Sequence, residues 1–202
     1  MEAFDRLIEI VDTLHGPDGC PWDRKQTFQS LRPHILEEVY ELLDSIDGED
    51  VKGMVEELGD ILFQVLLFAK VGEKRKLFSF KEIIAIVSEK LVRRHPHVFG
   101  DVELKTSEEV IDQWERIKKE EKKERKNPLE GIPKTLTGLA RAQKVILKLY
   151  REKIALPGKN GSVAISFGDR LLDLVIEAQR ENVDAESALR TALRRYEKLL
   201  SR

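Results

Sequence analysis

From Ile61 to Ala69 the sequence ILFQVLLFA would be apolar on nearly every side of a helix, interrupted only by Gln64. Such a helix has no polar face for water and has to be packed on most sides. It is also far too short to span a bilayer, which takes about 20 apolar residues. The rest of the chain, or a second copy of it, must therefore cover it. No stretch shows the period-two alternation of a half-buried strand, whereas helical spacing and helix-start signals recur throughout. The expectation is an all-α fold of packed helical hairpins.

The start and stop signals divide the chain. Phe4, Leu7, Ile8, Val11 and Leu14 mark the apolar face of a first helix, which stops in the Gly/Pro-rich loop HGPDGCPWD, 15–23. A second helix is predicted from near Ser30 to about Asp47, with Pro33 in its first turn and Gly48 behind it. Asp50 reads as the N-cap of a third helix reaching about Val71. Ser79 with Glu82, and Thr106 with Glu109, read as capping boxes for a fourth helix ending before RRHPHVFGD and a charged fifth running through Lys123. Later helices are predicted over about Leu136 to Tyr150, Phe167 to Arg180 and, capped by Asp184, Ala185 to Leu200. The segment ALPGKNGSVAIS between the first two of these reads as a flexible connector or a short hairpin.

Two acidic motifs fall on the second and third helices, Glu37-Glu38-Val39-Tyr40-Glu41 and Glu56-Glu57-Leu58-Gly59-Asp60. Residues three apart on a helix have neighbouring side chains, so Glu38 and Glu41 aim at one spot, and Glu57 and Asp60 repeat the arrangement. Gly59 and Asp60 are also poor helix-interior residues, glycine by about 1 kcal/mol relative to alanine. A short connection around Gly48 folds the two helices together, and the sector shared by Glu57, Asp60 and Gln64 then faces protein rather than bulk water. Carboxylates gathered there repel and desolvate badly without a cation. An all-oxygen ligand set without Cys or His suits Mg²⁺, or Mn²⁺, rather than zinc. An EExxE motif alone is equally at home on a solvated helix face; the second motif on a buried helix at hairpin distance favours a site. A di-iron carboxylate bundle would need Glu-x-x-His pairs, and neither acidic helix has one.

Phosphates are the usual partners of such magnesium sites. Lys90, Arg93, Arg94 and His95, at the end of the fourth helix, are candidates to hold them, since guanidinium groups grip phosphate oxygens in pairs. The same bases would also complement the helix dipole. In the GCPWD loop, Trp22 could stack on a base or anchor the core, with Lys25 close by. No phosphate-binding glycine loop or Ser/His/Asp arrangement is present.

Charge sharpens the exclusions. With 35 basic and 37 acidic residues, no global field points to nucleic acid or a membrane, and no direct nucleic-acid binding is expected. A single cysteine, Cys20, rules out an internal disulfide framework and fits a reducing cytoplasm. The N-terminal MEAFDRLIEIVDTLHG alternates charge with apolar residues, unlike a signal or transit sequence. The expected location is the cytoplasm.

The blocks GCPWD, LEEVYELLDSI, EELGDILFQVLLFA and EKLVRRHPHVFGD, in this order and spacing, closely resemble the MazG family of the all-α nucleoside triphosphate pyrophosphatase superfamily, as does NPLEGIPKTLTGLARAQK. The resemblance implies a four-helix-bundle-like unit that hydrolyses the α–β bond of NTPs or dNTPs, releasing monophosphate and pyrophosphate and clearing aberrant nucleotides. It implies Mg²⁺ held by Glu38, Glu41, Glu57 and Asp60. Glu37, beside Glu38 and Glu41, would orient or deprotonate the attacking water. It also implies homodimers or larger assemblies, in which a partner covers an apolar face of the Ile61–Ala69 helix.

Full-length members resemble two tandem copies of the unit. Here Gly168-Asp169-Arg170-Leu171-Leu172 echoes Gly59-Asp60-Ile61-Leu62-Phe63, but Ser166 stands where the second ExxD would begin and no EExxE precedes it. The expected division is a catalytic unit over 1–130 and a degenerate, structural second copy over 131–202. Competing readings are a hydrolase directed at (p)ppGpp or another nucleotide phosphodiester, and a non-catalytic nucleotide-sensing or helical interaction module.

Overall fold

The computed structural model describes residues 2–124, 127, 129–156 and 166–200, excluding the side chains of 196 and 198–200. Among these residues the protein is all-helical, with no strand: α1 (Glu2–His15), α2 (Phe28–Asp47), α3 (Val51–Lys74), α4 (Phe80–Arg94), α5 (Pro96–Phe99), α6 (Ser107–Glu120), α7 (Gly138–Arg151), α8 (Phe167–Arg180) and α9 (Ala185–Leu200). No helix among them is long and apolar enough to cross a membrane. The chain separates into two compact units, Met1–Lys118 and Lys119–Arg202.

In the first unit, α2 and α3 form the dominant pair, and α1 and α4 both pack on α3. The hairpin is tight because Asp50 ends it and starts the next helix at once: its carboxylate accepts from the backbone N–H groups of Lys52 at 3.0 Å and Gly53 at 3.1 Å. The left-handed residue of the turn is Glu49, at φ 55°, rather than Gly48. Gly53 lets the helices close on each other, since a Cβ there would lie 2.5 Å from Ser45 Oγ.

Helix α2 starts two residues earlier than the sequence suggests. Thr27 and Ser30 cap it reciprocally, Ser30 N–H donating to Thr27 Oγ1 at 3.1 Å and Thr27 N–H to Ser30 Oγ at 2.9 Å. Pro33 therefore falls in the second turn. The serine does the work of the glutamate a capping box usually carries. At three other helix starts the signals and the structure agree: Ser79 with Glu82 opens α4, Thr106 with Glu109 opens α6, and Asp184 accepts from Ser187 N–H at 2.7 Å at the start of α9.

The core of this unit joins Val11, Leu31, Leu66, Leu67 and Val71, with Phe28, Phe63, Phe68 and Phe80 against it. Phe28 stacks between Phe68 and Phe78, at centroid distances of 6.2 and 5.8 Å. Lys70 ties α3 to α1 through Asp12, at 2.5 Å. The core thus occupies the C-terminal half of α3. The expected open apolar face on Ile61–Ala69 is corrected here: Leu66, Leu67 and Ala69 are buried by α1, α2 and α4. The open apolar positions lie upstream, at Val51, Val55 and Leu58 on α3 and Leu36, Val39 and Tyr40 on α2.

The second unit is built on α7, which contacts both α8 and α9, with Ile146 and Val175 at its centre. The Gln143 amide closes the α8–α9 turn from both sides, donating to the Val183 carbonyl at 2.6 Å and accepting from Ala185 N–H at 2.9 Å. Most of the ALPGKNGSVAIS connector lies outside the described residues.

Candidate metal centre

The acids sit where the buried half of the α2–α3 hairpin gives way to its open half. Glu38, Glu41 and Glu57 each bring a carboxylate oxygen within 4.8 Å of the others, two from α2 and one from α3. Glu38 and Glu57 are half-buried and Glu41 is exposed. Asp60, one turn beyond Glu57, stands outside this tight trio, but its charge acts on both Glu38 and Glu57. Glu37 is exposed, with its carboxylate 3.8 Å from His34 Nδ1.

The electrostatics fit the geometry. Burial raises the Glu38 carboxyl above the usual range; Asp60, Glu41 and Glu37 push it further, against a lowering hydrogen bond from Gln64. Desolvation likewise raises Glu57, followed by repulsion from Glu41, Asp60, Glu38 and Glu56. These groups resist ionising together without a compensating cation. The Gln64 amide, 5% exposed, donates to Glu38 Oε1 at 3.4 Å. Its own Oε1 is buried and finds no hydrogen-bond partner among the described residues. An all-oxygen cluster beside an orphaned amide oxygen fits a hard divalent cation with its water shell.

Gln64 was legible as the one polar break in an apolar run, although its contact with Glu38 depends on the register of the hairpin. His34 carried no signal of its own.

The other sequence candidates lie on separate elements. Trp22 is 50% exposed and meets the His34 ring edge-on, with centroids 5.5 Å apart. Lys25 is exposed at the end of a single 3-10 turn over Asp23–Lys25. Lys90 and Arg94 are half-buried and Arg93 exposed near the end of α4, which continues two residues further than expected and takes both arginines into its last turn. His95 follows, with Nδ1 2.7 Å from the Leu91 carbonyl and its ring packed near His97 and Trp114 at 5.6 and 6.0 Å. The trio that converges contains none of these basic residues.

In the second unit, Asp169 accepts from the Ser166 hydroxyl at 2.7 Å and from its backbone N–H at 2.9 Å, while Ser166 Oγ accepts from Asp169 N–H at 3.1 Å. Asp169 is thus part of a capping box in the first turn of α8, whereas Asp60 stands mid-helix in α3. The two Gly-Asp pairs occupy different places on their helices.

A family model described as the MazG nucleotide pyrophosphohydrolase domain matches residues 26–99, which contain both acidic motifs and the α4 bases. The chain is 47% identical over 148 residues to the nucleoside triphosphate pyrophosphohydrolase of Escherichia coli K12, covering 72% of this chain and 56% of that protein. It is 37% identical to the nucleoside triphosphate pyrophosphohydrolase/pyrophosphatase MazG of Thermotoga maritima, over 96% of this chain and 82% of that protein. A crystal structure of a mazG-related protein from Thermotoga maritima superposes with a TM-score of 0.50 at 29% identity, covering 57% of this chain and 98% of that one. At 47–50% identity the chain spans only 29–56% of the length of the curated relatives it matches. With both acidic motifs on one hairpin and similarity to the Thermotoga maritima protein along nearly its whole length, the chain belongs to the MazG family.

Proposed function

We propose that this protein is a divalent-metal-dependent hydrolase that cleaves nucleoside triphosphates, ribo- or deoxyribo-, between the α- and β-phosphates. The observation that carries the reading is the convergence of Glu38, Glu41 and Glu57 across the α2–α3 hairpin, with oxygens within 4.8 Å. The names of the relatives, nucleoside triphosphate pyrophosphohydrolases, agree with it.

Glu38, Glu41, Glu57 and Asp60 are the residues that would hold Mg²⁺, with Mn²⁺ as the other ion their oxygens suit. When bound, the ion neutralises charge on the phosphate oxygens and lowers the pKa of a coordinated water. Gln64 orients Glu38 from α3. Glu37, exposed beside Glu38, would orient or deprotonate the attacking water. Lys90, Arg93 and Arg94 supply the positive charge that a triphosphate needs beyond the metal.

The open apolar residues Leu36, Val39 and Tyr40 on α2 and Val55 and Leu58 on α3 flank the acids, and a second copy of the chain would cover them in a homodimer. The C-terminal unit serves as a structural remnant of a second copy, its Asp169 committed to a helix cap. A cytoplasmic location is the reading that nucleotide substrates and the single cysteine favour.

Incubation with the common NTPs and dNTPs plus Mg²⁺, with products resolved by chromatography, tests the reaction. Monophosphate with pyrophosphate supports it. Binding without turnover would instead favour a nucleotide-sensing module.

A further inference from the structure

We infer that Gln64 sets the ion preference of this site: its side-chain oxygen accepts a hydrogen bond from a water that the bound cation retains, which favours Mg²⁺ over Ca²⁺. The inference rests on the proposed metal centre and adds to it the residue that discriminates between hard cations.

Gln64 follows Glu57 and Asp60 on one face of α3, at i+7 and i+4. It is buried with Leu66 and Leu67, where the helix turns from acids to core. The two ends of its amide fare differently. Nε2 donates to Glu38 Oε1 at 3.4 Å, whereas Oε1 is buried and has no partner among the described residues. The opposite orientation of the amide would set oxygen against oxygen, so the contact with Glu38 decides which end is left over. A buried acceptor without a donor is costly, and a leucine here would carry no such cost. The donor has to come from what the site binds.

The converging side chains do not provide it. Glu38, Glu41 and Glu57 are acceptors only, once ionised. A water on a divalent cation is a donor of the required kind: its lone pair is on the ion and its O–H bonds point outward. The trio offers three oxygens, fewer than an octahedral ion takes, so waters or phosphate oxygens complete the shell.

The consequence is a choice of ion. Mg²⁺ demands octahedral geometry and gives up its waters reluctantly, whereas Ca²⁺ takes more oxygens at longer distances and in flexible arrangements. An acceptor for a retained water therefore stabilises bound Mg²⁺ more than bound Ca²⁺. An amide does this without adding charge to carboxyls that already hold one another above their usual range. A direct bond from Gln64 to the ion would work in the opposite direction, in favour of Ca²⁺.

The test is isothermal titration of the metal-free full chain, without nucleotide, with MgCl₂ and with CaCl₂. The parent, Gln64→Leu and Gln64→Glu are compared, with thermal melts in each salt. We expect Gln64→Leu to lose Mg²⁺ affinity by about 10–100-fold and Ca²⁺ affinity by much less, so that the preference for Mg²⁺ shrinks on the order of ten-fold. Gln64→Glu keeps an acceptor but loses the amide donor, and should retain the preference whatever its absolute affinities. Equal losses for both ions in Gln64→Leu would overturn the inference and leave Gln64 positioning Glu38 alone. A larger loss for Ca²⁺ would overturn it in favour of direct ligation, and a preference lost in Gln64→Glu as well would assign the effect to the donor end. A parent that binds neither ion, and whose Tm neither salt raises, would defeat the metal centre itself and the inference with it.

Discussion

The Gln64 side-chain amide reaches across the hairpin from α3 and donates to Glu38 on α2 at 3.4 Å, at the point where the apolar core ends and the acids begin. Gln64 belongs to both regions. It is buried with Leu66 and Leu67 that follow it, and its amide donates to a carboxylate of the acidic trio.

This contact makes Gln64 a positioning residue for Glu38. Gln64→Leu keeps volume and burial while removing the donor, so the fold should persist. Partners behind metal ligands typically matter by about 10–100-fold in metal affinity or activity. Isothermal titration with Mg²⁺, alongside a thermal melt, should show weaker binding by that margin at an undiminished Tm. A lowered Tm with unaltered Mg²⁺ affinity would make Gln64 merely structural.

The acids should destabilise the metal-free protein near neutral pH. Glu38 and Glu57 both have carboxyls raised above the ordinary range, so the folded state holds protons that the unfolded chain has released. Their contribution is fully favourable below the unfolded carboxylate pKa and is lost as pH rises through the raised folded values. Glu57→Gln is therefore expected to raise the Tm of the metal-free protein at pH 7, with the advantage disappearing as the pH falls towards the ordinary carboxylate range. Mg²⁺ should raise the Tm of the parent more than that of the variant. A Glu57→Gln protein less stable than the parent at pH 7 without metal would refute this.

Two helical glycines should respond in opposite ways to the same methyl group. A Cβ on Gly72 would clash with the Phe78 ring, so Gly72→Ala should destabilise by about 1–3 kcal/mol through overpacking. Gly59, mid-helix beside the acids, has nothing within 4 Å of such a Cβ. Gly59→Ala should therefore stabilise the isolated chain by up to about 1 kcal/mol through helix propensity. If it also lowers turnover or dissociates an oligomer, the space beside Gly59 is occupied by substrate or by a second copy. Urea denaturation with size-exclusion chromatography reads all three effects.

Much of this was legible in the sequence for a physical reason: caps and periodicity are local. Asp50, Ser79 with Glu82, Thr106 with Glu109 and Asp184 mark helix starts that the structure reproduces, and α8 spans the same residues that its periodicity suggested. Where local signals were ambiguous, the boundaries moved. Ser30 rather than a glutamate completes the α2 cap, and RRHPHVFGD conceals both the last turn of α4 and the short α5. The acid pairs were visible as i, i+3 spacings. Which oxygens meet depends on the hairpin register, set by the turn at Glu49 and the close approach at Gly53, and there Asp60 falls outside the trio. His34 was invisible because its meaning comes from Trp22, twelve residues away in sequence and in ring contact in space.

The bases after the acids are expected to separate into two roles. Arg93→Ala should raise KM for triphosphates with a modest change in Tm, because a guanidinium at the end of α4 is suited to phosphate. His95→Ala should instead lower Tm and leave KM nearly unaltered, because its ring packs near His97 and Trp114 and its Nδ1 lies against the Leu91 carbonyl. Kinetics and melts on the same preparations check both, and the reverse pattern would exchange the roles.

Cleavage between the α- and β-phosphates is proposed to depend on a metal held by the carboxylates of α2 and α3. Its most direct test is product analysis of an NTP incubated with the parent and with Glu41→Gln across a Mg²⁺ titration. Monophosphate and pyrophosphate are expected from the parent only when Mg²⁺ is present, with little or no product from Glu41→Gln at any Mg²⁺ concentration. Diphosphate and phosphate from the parent, or undiminished turnover by Glu41→Gln, would contradict it.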